Sequence, residues 1–578
     1  MATKNKKFDS NQSNEELNQI LRKCKIIDDA EDFGALVNRV FSSITSIETK
    51  YGVSEVDMKD FERRVSERFI NKQFVPSTTI LTNAGRYKDK PLAACSVPPV
   101  GFRNDYSMVK HTIDMYHQKG MGTGFNFDDC DEPVELLSYL NNIAISGQDS
   151  GKEDRPVGNM CLISCDHPKI FEMIQCKNDL NKNSRWMFNI SINITEEFMK
   201  SYNSGDLFEL KDGTKVNPND ILNSISESAW GCGDPGIAFL ERFDKDNPVP
   251  HLGNYKSLAP CGEVAMADGE TCQFAYVNVG NFVQDSEIDY SSLEETLFDV
   301  VRFLDDALEI SIENYGNPKS QEIMSQKRKI GVGLCGFADL LVKLNIPYDS
   351  DDAEAVAENV MSFVNLSTKK ASVELAKTRD PFPSFYDSET RIGKGYLLNR
   401  YGSQTTEIVS NKDWVDLYED VKRYGIRHVS TTALPPTGRS SLVIGASPSI
   451  EPYFSIDLND EMYSDLKAKL DVIGWSESKS NDLISDFRIN GFDCDKLPYL
   501  IQPIYQTCLD IPVKRHLNIV GCLQRYTDES ISKTVNMPKD VLPSDIKPVY
   551  LEAYDLGLKG MTIYRDGSKE YQPKNIKK

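Results

Sequence analysis

The chain lacks any uninterrupted run of roughly 18 or more apolar residues, the length a bilayer span needs, and its first ten residues, MATKNKKFDS, lack the apolar core of a secretory signal. A cytoplasmic protein that touches no membrane is therefore expected. Histidine is scarce, six in 578 residues, and no HExxH or similar spacing occurs, so a metal centre built from side chains is not expected. The 13 cysteines are an odd number without paired CxxC spacing, which argues against a zinc site and for thiols kept reduced, most of them buried as small apolar residues. Nor is there an excess of base, since 87 acidic against 66 basic residues leave a formal charge of −21. Such a surface repels a nucleic-acid polymer, yet a small phosphorylated ligand can still be held by a local cluster of N–H groups and an arginine.

What is present is an ordinary globular composition, 40% hydrophobic and 26% charged, with length enough for a large shared core. Residues 1–70 read as an α-helical region. Ser13 and Glu16 are spaced as a capping box ahead of Leu17, Ile20, Leu21 and Cys24 on one face, and Leu36, Val37, Val40, Phe41, Ile44 and Ile47 repeat at helical spacing. From 71 to 570, short apolar or alternating stretches bounded by Gly and Pro, at 186–194, 236–240, 274–283, 330–334 and 441–446, alternate with amphipathic helices. That is the pattern of one large α/β catalytic domain without solenoid repeats. Residues 459–495 read as polar and helical, an insertion or a lid-like excursion, and 571–578 as a polar tail.

The most informative stretch runs from NPVPHLGNYKSLAPCGEVAM at 247–266 to ETCQFAYVNVGNFV at 270–283. Cys261 lies between Pro260 and Gly262 in a tight-loop setting, Glu263 follows two residues on, and Cys272 heads a strand-like run. In an extended or looped segment, residues two apart project to the same side, so one ligand can meet both the thiol and the carboxylate. A thiyl radical with a neighbouring base suits that arrangement; so does plain packing, and Cys-Gly-Glu alone does not decide between them.

Its context does. The segment resembles the Asn-Pro-Cys-Gly-Glu finger loop of ribonucleotide reductases, and the resemblance continues in order along residues 70–570. It is carried upstream by FVPSTTILTNAG (74–85), PLAACSVPPV (91–100), KGMGTGFNFD (119–128), GNMCLISCDHP (158–168) and FNISINITEEFM (188–199). Downstream it is carried by RKIGVGLCGFADLL (328–341), PPTGRSSLVIGASPSIEPYFS (435–455), SKTVN (532–536) and GLKGMTIYRDGS (557–568). Pro-Cys-Gly-Glu and the Tyr-Arg-Asp-Gly-Ser ending are most similar to the class II, adenosylcobalamin-dependent enzymes. The resemblance implies a ten-stranded α/β barrel with a central finger loop. It implies that Cys261 becomes the thiyl radical, that Glu263 is the base at the ribose 3′-hydroxyl, and that Cys95 and Cys272 are the dithiol oxidised in each turnover. The phosphate loop would be Pro436, Thr437, Gly438, Arg439, Ser440 and Ser441. Thr78, Ala94 and Gly122 would touch substrate, together with Ala259, Pro260 and Gly262 of the finger. Adenosylcobalamin as cofactor follows by similarity and by elimination, since neither paired tyrosines before the carboxy terminus nor a glycyl-radical motif is seen. The partners implied are a ribonucleoside di- or triphosphate and a thioredoxin-like or small dithiol reductant, and a homodimer is an open option.

Several departures mark the chain. Ala259 stands where the family has an asparagine that helps hold the ribose hydroxyls, so a water, Asn254 or Asn126 would have to fill in. The chain reads Arg155-Pro156-Val157 in place of an Arg-Arg-Gly motif, and it is about a dozen residues shorter nearby than the family pattern, which weighs against allosteric specificity control. No ATP-cone fits in the amino-terminal region, and the tail KEYQPKNIKK has no cysteine pair. Arg439 replaces a small or hydroxylated residue and either forks onto a phosphate or points to solvent. Cys161, Cys165, Cys232, Cys335 and Cys522 are read as packing residues and His167 as a turn residue. The glycines of Lys119–Gly124 are read as a barrel-strand entrance allowing close approach rather than a P-loop. Against an active reductase stand a diverged thiyl-radical enzyme acting on another nucleotide and a catalytically silent nucleotide-binding paralogue.

Overall fold

A computed structural model describes residues 10–100, 106–150, 157–179, 185–393, 395–456 and 458–568. Arg155, Pro156 and the tail 571–578 lie outside the described residues. Ten strands build its two main sheets: Phe74–Pro76 (β1), Cys95–Ser96 (β2), Gly122–Asn126 (β3), Asn159–Ser164 (β4), Phe188–Asn193 (β5), Gly236–Ala238 (β6), Gln273–Asn278 (β7), Ile330–Cys335 (β8), Thr534–Met537 (β9) and Gly560–Arg565 (β10). Seven lie in the order β9-β10-β6-β5-β4-β3-β2 and three in the order β1-β7-β8. All pairings are parallel except β10 with β6 and β1 with β7. The regular ladders do not run round the whole ring; single bridges span the seams, Ser96 to Thr271 on one side, Val332 to Thr432 and Leu434 to Ile531 on the other.

Burial explains the strand sequences. β4 (NMCLIS) and β8 (IGVGLC) are buried at all six positions, as parallel strands covered on both faces must be, so they read as continuous rather than alternating apolar runs. Helices Pro133–Asp149, Ile170–Asp179 and Pro218–Cys232 connect successive strands, and the long helices Tyr290–Asn314 and Asp351–Arg379 pack on each other. The amino-terminal helices Phe33–Thr45 and Glu55–Ile70 lie against Tyr290–Asn314, with the Phe41 and Phe303 rings 5.3 Å apart. Buried Glu48 fixes them electrostatically, its Oε1 taking Arg302 Nε and Arg379 Nη2 at 2.6 Å each. Residues 460–490 form two helices, Asp460–Val472 and Glu477–Asn490, whose apolar faces share a separate cluster around Leu466, Leu470, Phe487 and Tyr505. Among the described residues no helix is long and apolar enough to cross a membrane.

Three local expectations change. The first helix runs Ser10–Lys23, so Ser13 lies inside it instead of capping it. The second starts after Asp32, whose carboxylate accepts the Ala35 N–H at 2.8 Å, and Ile47 belongs to the 3-10 turn Ser46–Tyr51. Of residues 441–446, read as strand-like, the first four belong to a short helix, Gly438–Ile444, closed by Gly445 at φ 66°. The apolar side chains there are too few to show helical period, and left-handed Gly445 sets the end.

Candidate active site

Glycines make room for a finger inside the ring. The arms Ser257–Leu258 and Ala265–Met266 pair antiparallel, and the first of them lies against β3 and β4. A Cβ on Gly124 would collide with the Leu258 carbonyl oxygen; one on Gly122 would stand 3.0 Å from Pro260 Cγ and 3.3 Å from Cys95 Sγ, and one on Gly158 3.2 Å from Pro260 Cβ. Close backbone approach is thus the physical reason for the Gly-rich 119–124 segment. At the tip, Ala259 N–H donates to Val264 O at 2.9 Å and Gly262 N–H to Ala259 O at 2.8 Å, while Gly262 takes φ 79°, which favours glycine. Ser530 N–H donates to Glu263 O at 2.9 Å and ties the tip to the segment leading into β9.

The tip carries Cys261 on the cavity side. That residue is exposed and lines a cavity of about 300 Å³ together with Pro260, Gly262, Asn189, Pro436, Ser532 and Tyr564. Glu263, by contrast, is 3% exposed, and its Oε2 has no hydrogen-bond partner. Burial pushes its carboxyl up to about 7 against the opposing backbone N–H groups of Glu263 and Cys261. Cys95 and Cys272 come together across a seam: Ser96 bridges Thr271 antiparallel, which sets Cys95 opposite Cys272. The Thr271 hydroxyl donates to the Cys95 carbonyl, and Ser96 Oγ donates to Glu270 O at 3.0 Å. Cys272 is fully buried, which drives its thiol well up, and Glu263 is among the charges that act on it. None of the 13 cysteines is in a disulfide. The structure therefore gathers Cys95, Cys272, Glu263 and the Pro260–Cys261 tip at one place.

Beneath Cys272 sits a second group of charges. Glu270 is fully buried, and burial alone would raise its carboxyl, but Lys327 at 2.9 Å and Lys329 at 3.1 Å outweigh it and hold the group below its ordinary value. Lys329 also pairs with Glu529 at 3.1 Å.

The remaining expected positions divide between two places. Pro436 lines the Cys261 cavity, whereas Arg439 is half-buried in a separate cleft beside Thr78, so it neither reaches into the cavity nor simply projects to solvent. Ala94 accepts the Gly122 N–H at 2.9 Å. Thr437 Oγ1 accepts the Ser449 N–H at 2.7 Å and Ser441 Oγ donates to Gly438 O at 3.0 Å, so these two hydroxyls shape the loop. Ser440 is buried behind them, and Gly438 is exposed at φ 25°.

Neither stand-in for the missing finger asparagine is at the tip. Asn126 donates to Lys256 O at 2.9 Å and to Asp128, at the base of the finger, and Asn254 is exposed outside the cavity lining. Asn189 of β5 is the amide that is there, its Nδ2 donating to Pro260 O at 2.9 Å. The sequence does not single it out, because Asn189, Ser191 and Asn193 alternate alike along the strand and only the structure shows position 189 as the exposed one. Tyr564 was missed too; it lines the cavity and its hydroxyl is buried without a partner. The packing residues behave as read. Cys161, Cys165, Cys335 and Cys522 are buried, the Cys232 thiol donates to Asp234 O at 3.4 Å, and His167 Nε2 lies 3.0 Å from Cys130 O in its turn. Among the described residues no group of three or more His, Cys, Asp or Glu could hold a metal ion.

Comparison with known proteins agrees with this geometry. The family described as "Ribonucleotide reductase, barrel domain" matches residues 127–564. A protein of Thermoplasma acidophilum named vitamin B12-dependent ribonucleoside-diphosphate reductase is 32% identical over 540 residues, covering 88% of this chain and 66% of its own length. A protein of the same name from Mycobacterium tuberculosis is 27% identical, covering 94% of this chain and 77% of its own. The chain thus spans about two thirds to three quarters of the length of these relatives. Among solved structures, the alpha subunit of an Actinobacillus ureae class Id ribonucleotide reductase superposes with a TM-score of 0.73 at 17% identity, over 97% of this chain and 99% of that one, which shows the fold. On the family match across more than half of its length, the chain belongs to the ribonucleotide reductase family.

Proposed function

We propose that the chain reduces ribonucleotides to 2′-deoxyribonucleotides, as a class II enzyme working with adenosylcobalamin. The observation that carries the reading is the convergence of Cys95, Cys272 and the poised carboxyl of Glu263 at the finger tip that presents Cys261 to the cavity. A cavity of about 300 Å³ is in the range of small-ligand sites.

The residues present fit the cofactor. The partnerless Tyr564 hydroxyl and the polar side chains of Asn189, Ser532, Thr534 and Thr562 line the cavity onto which Cys261 opens, and these would hold the amide-bearing edge of such a group. Bound there, adenosylcobalamin supplies the one-electron oxidising equivalent that converts the Cys261 thiol to a thiyl radical.

The chain's own groups do the rest. Cys261 takes the 3′-hydrogen of the ribose, and Glu263 takes the 3′-hydroxyl proton; a carboxyl with a value of about 7 is half ionised near neutrality and suits proton transfer in either direction. The C2′–O bond breaks and water leaves. Cys95 and Cys272 provide two electrons and two protons, one hydrogen going to C2′, and become joined by an S–S bond. Cys261 then returns hydrogen to C3′. A dithiol reductant reopens the disulfide. Loop 436–441 holds phosphate, with the N–H groups of Gly438 and Arg439 taking no acceptor among the described residues. Asn189 fixes the finger tip by donating to Pro260 O, and its side chain lines the cavity onto which Cys261 opens. Retention of all three thiols in one place weighs against a silent nucleotide-binding paralogue.

Purified chain, adenosylcobalamin, a dithiol and each ribonucleoside di- or triphosphate should yield the deoxyribonucleotide by chromatography. Cys261→Ser should abolish product while leaving nucleotide affinity within about threefold, since a single oxygen-for-sulfur exchange removes the radical and little binding surface. Equal turnover in that variant would remove Cys261 from the mechanism.

A further inference from the structure

The two thiols that meet across the seam are not equivalent. Cys95 is half-buried, whereas Cys272 is fully buried. β7 and β8 run parallel with Gln273 opposite Ile330, so one position earlier on both strands Cys272 comes beside Lys329. Lys329 is 1% exposed. Its Nζ donates to Ala265 O of the finger arm at 2.8 Å and meets Glu270 Oε1 and Glu529 Oε1 at 3.1 Å each, with the Tyr255 ring centroid 4.7 Å away. Lys327 holds the other Glu270 oxygen, Oε2, at 2.9 Å, so two lysines and two carboxylates balance one another next to a thiol. Burial alone would discharge Lys329, but Glu270 and Glu529 hold it well above its ordinary value. Burial also drives Cys272 well up, and of the charges acting on that thiol Lys329 is the strongest, ahead of Glu529, Glu270 and Glu263. At rest, therefore, Cys272 is a thiol with a permanent cation beside it.

That cation has work to do when the dithiol is regenerated. A disulfide between Cys95 and Cys272 must be reopened by an external thiol, and the half-buried sulfur is the one within its reach. Attack of a thiolate on Cys95 Sγ forms a bond between the reductant and Cys95, breaks the Cys95–Cys272 bond and leaves the electron pair on Cys272 Sγ. We propose that Lys329 is the positioning residue for this step: its ammonium, anchored by Glu270 and Glu529, stabilises Cys272 as the leaving thiolate and so directs the reductant to Cys95. The reductant's second thiolate then attacks the reductant sulfur of the mixed disulfide and releases Cys95. The reductant departs as its own disulfide, and the two protons it gave up end on Cys95 and Cys272. The inference rests on the reading of these two cysteines as the dithiol, and adds which sulfur is attacked and which charge receives the one that leaves.

The test needs neither cofactor nor nucleotide. The full chain is oxidised with diamide, and reopening of the Cys95–Cys272 disulfide by dithiothreitol is followed by timed alkylation and peptide mapping. Lys329→Gln should slow reopening about tenfold, because a leaving thiol of higher pKa departs more slowly, and Lys329→Arg should stay within about twofold of the unmutated chain. Glu529→Gln removes a carboxylate that opposes the thiolate while Glu270 still holds Lys329, and should speed reopening about twofold. A lysine that serves only to pair with Glu529 predicts the same sign for both substitutions, so slowing in Glu529→Gln would overturn the proposal, as would an unchanged rate in Lys329→Gln. A second measurement depends on no variant folding: a brief pulse of mercaptoethanol on the oxidised, unmutated chain should leave its adduct on Cys95, and an adduct on Cys272 would overturn the proposal. Failure of diamide to join Cys95 to Cys272 would overturn it together with the dithiol reading, whereas reopening with the expected signs in a chain that forms no deoxyribonucleotide would count against the proposed reaction alone.

Discussion

Glu263 and Glu270 are the same residue type, seven positions apart on either side of one finger arm, and both are buried, yet their carboxyls move in opposite directions. Glu263 has an oxygen with no partner and rises to about 7; Glu270 has two lysines within 3.1 Å and falls. Burial is common to both, so the difference lies wholly in the countercharge. Around Glu270 the chain has neutralised a buried acid with Lys327 and Lys329, a structural solution that holds the finger base and the start of β8 together. At Glu263 it has left the cost standing, which is how a group is poised to exchange a proton near neutral pH.

The largest effect that could break this comparison is catalytic. Glu263→Gln should lower kcat by about 10²–10⁴-fold, the usual worth of a general acid or base, and leave stability unchanged or raised, because no ion pair is lost. Glu270→Gln should do the reverse. It removes the countercharge 2.9 Å from buried Lys327 and should cost about 3–5 kcal/mol in denaturant unfolding, with kcat per folded molecule far less affected than in Glu263→Gln. Similar stability losses in both variants would erase the distinction.

pH sharpens it further. The folded value of Glu263 lies above its ordinary 4.5, so between pH 4.5 and about 7 the folded chain keeps a proton that the unfolded chain has released. Its contribution to stability is complete below pH 4.5, declines as pH rises through that window, and is lost above it. Glu270, lowered, contributes stability above 4.5 that disappears as pH falls through its folded value. As a base, Glu263 should also make kcat/KM climb about tenfold per pH unit below about 7, and Glu263→Gln should flatten that limb. The smallest expected effect is Asn189→Ala, which removes the donor to Pro260 O and should cost about 0.5–1.5 kcal/mol of stability, together with a several-fold fall in kcat that Asn189→Asp does not repair, since a carboxylate cannot donate there.

Much of the barrel was legible because its strands carry local signals. Residues 188–193 alternate apolar and polar, 330–335 form an apolar run closed by Gly336, and the Gly-rich 119–124 segment announces a close approach that the Leu258 and Pro260 contacts explain. Motif order named Cys95, Cys261, Glu263 and Cys272, whose proximity no local pattern could supply, because it depends on a bridge between residues 96 and 271. What escaped was long-range polar pairing. The Asn189 amide meets Pro260 across 71 positions, and nothing in FNISIN says which face of β5 looks at the finger. The charges around Glu270 come from two distant segments, and sequence spacing cannot show that Lys327, Lys329 and Glu529 meet beneath Cys272. Residues 441–446 failed for a different reason: four or five apolar residues fit strand and helix equally well until Gly445 fixes the end.

The central claim is that Cys95 and Cys272 are the electron source for a reaction begun at Cys261. It is tested most directly by a single turnover without added reductant, in which the chain is reduced, freed of dithiol, mixed with adenosylcobalamin and a ribonucleotide, then alkylated and mapped by mass spectrometry. The account predicts at most one deoxyribonucleotide per chain, matched mole for mole by a Cys95–Cys272 disulfide, with neither formed in Cys261→Ser. Product without that disulfide, or a disulfide joining other cysteines, would contradict it.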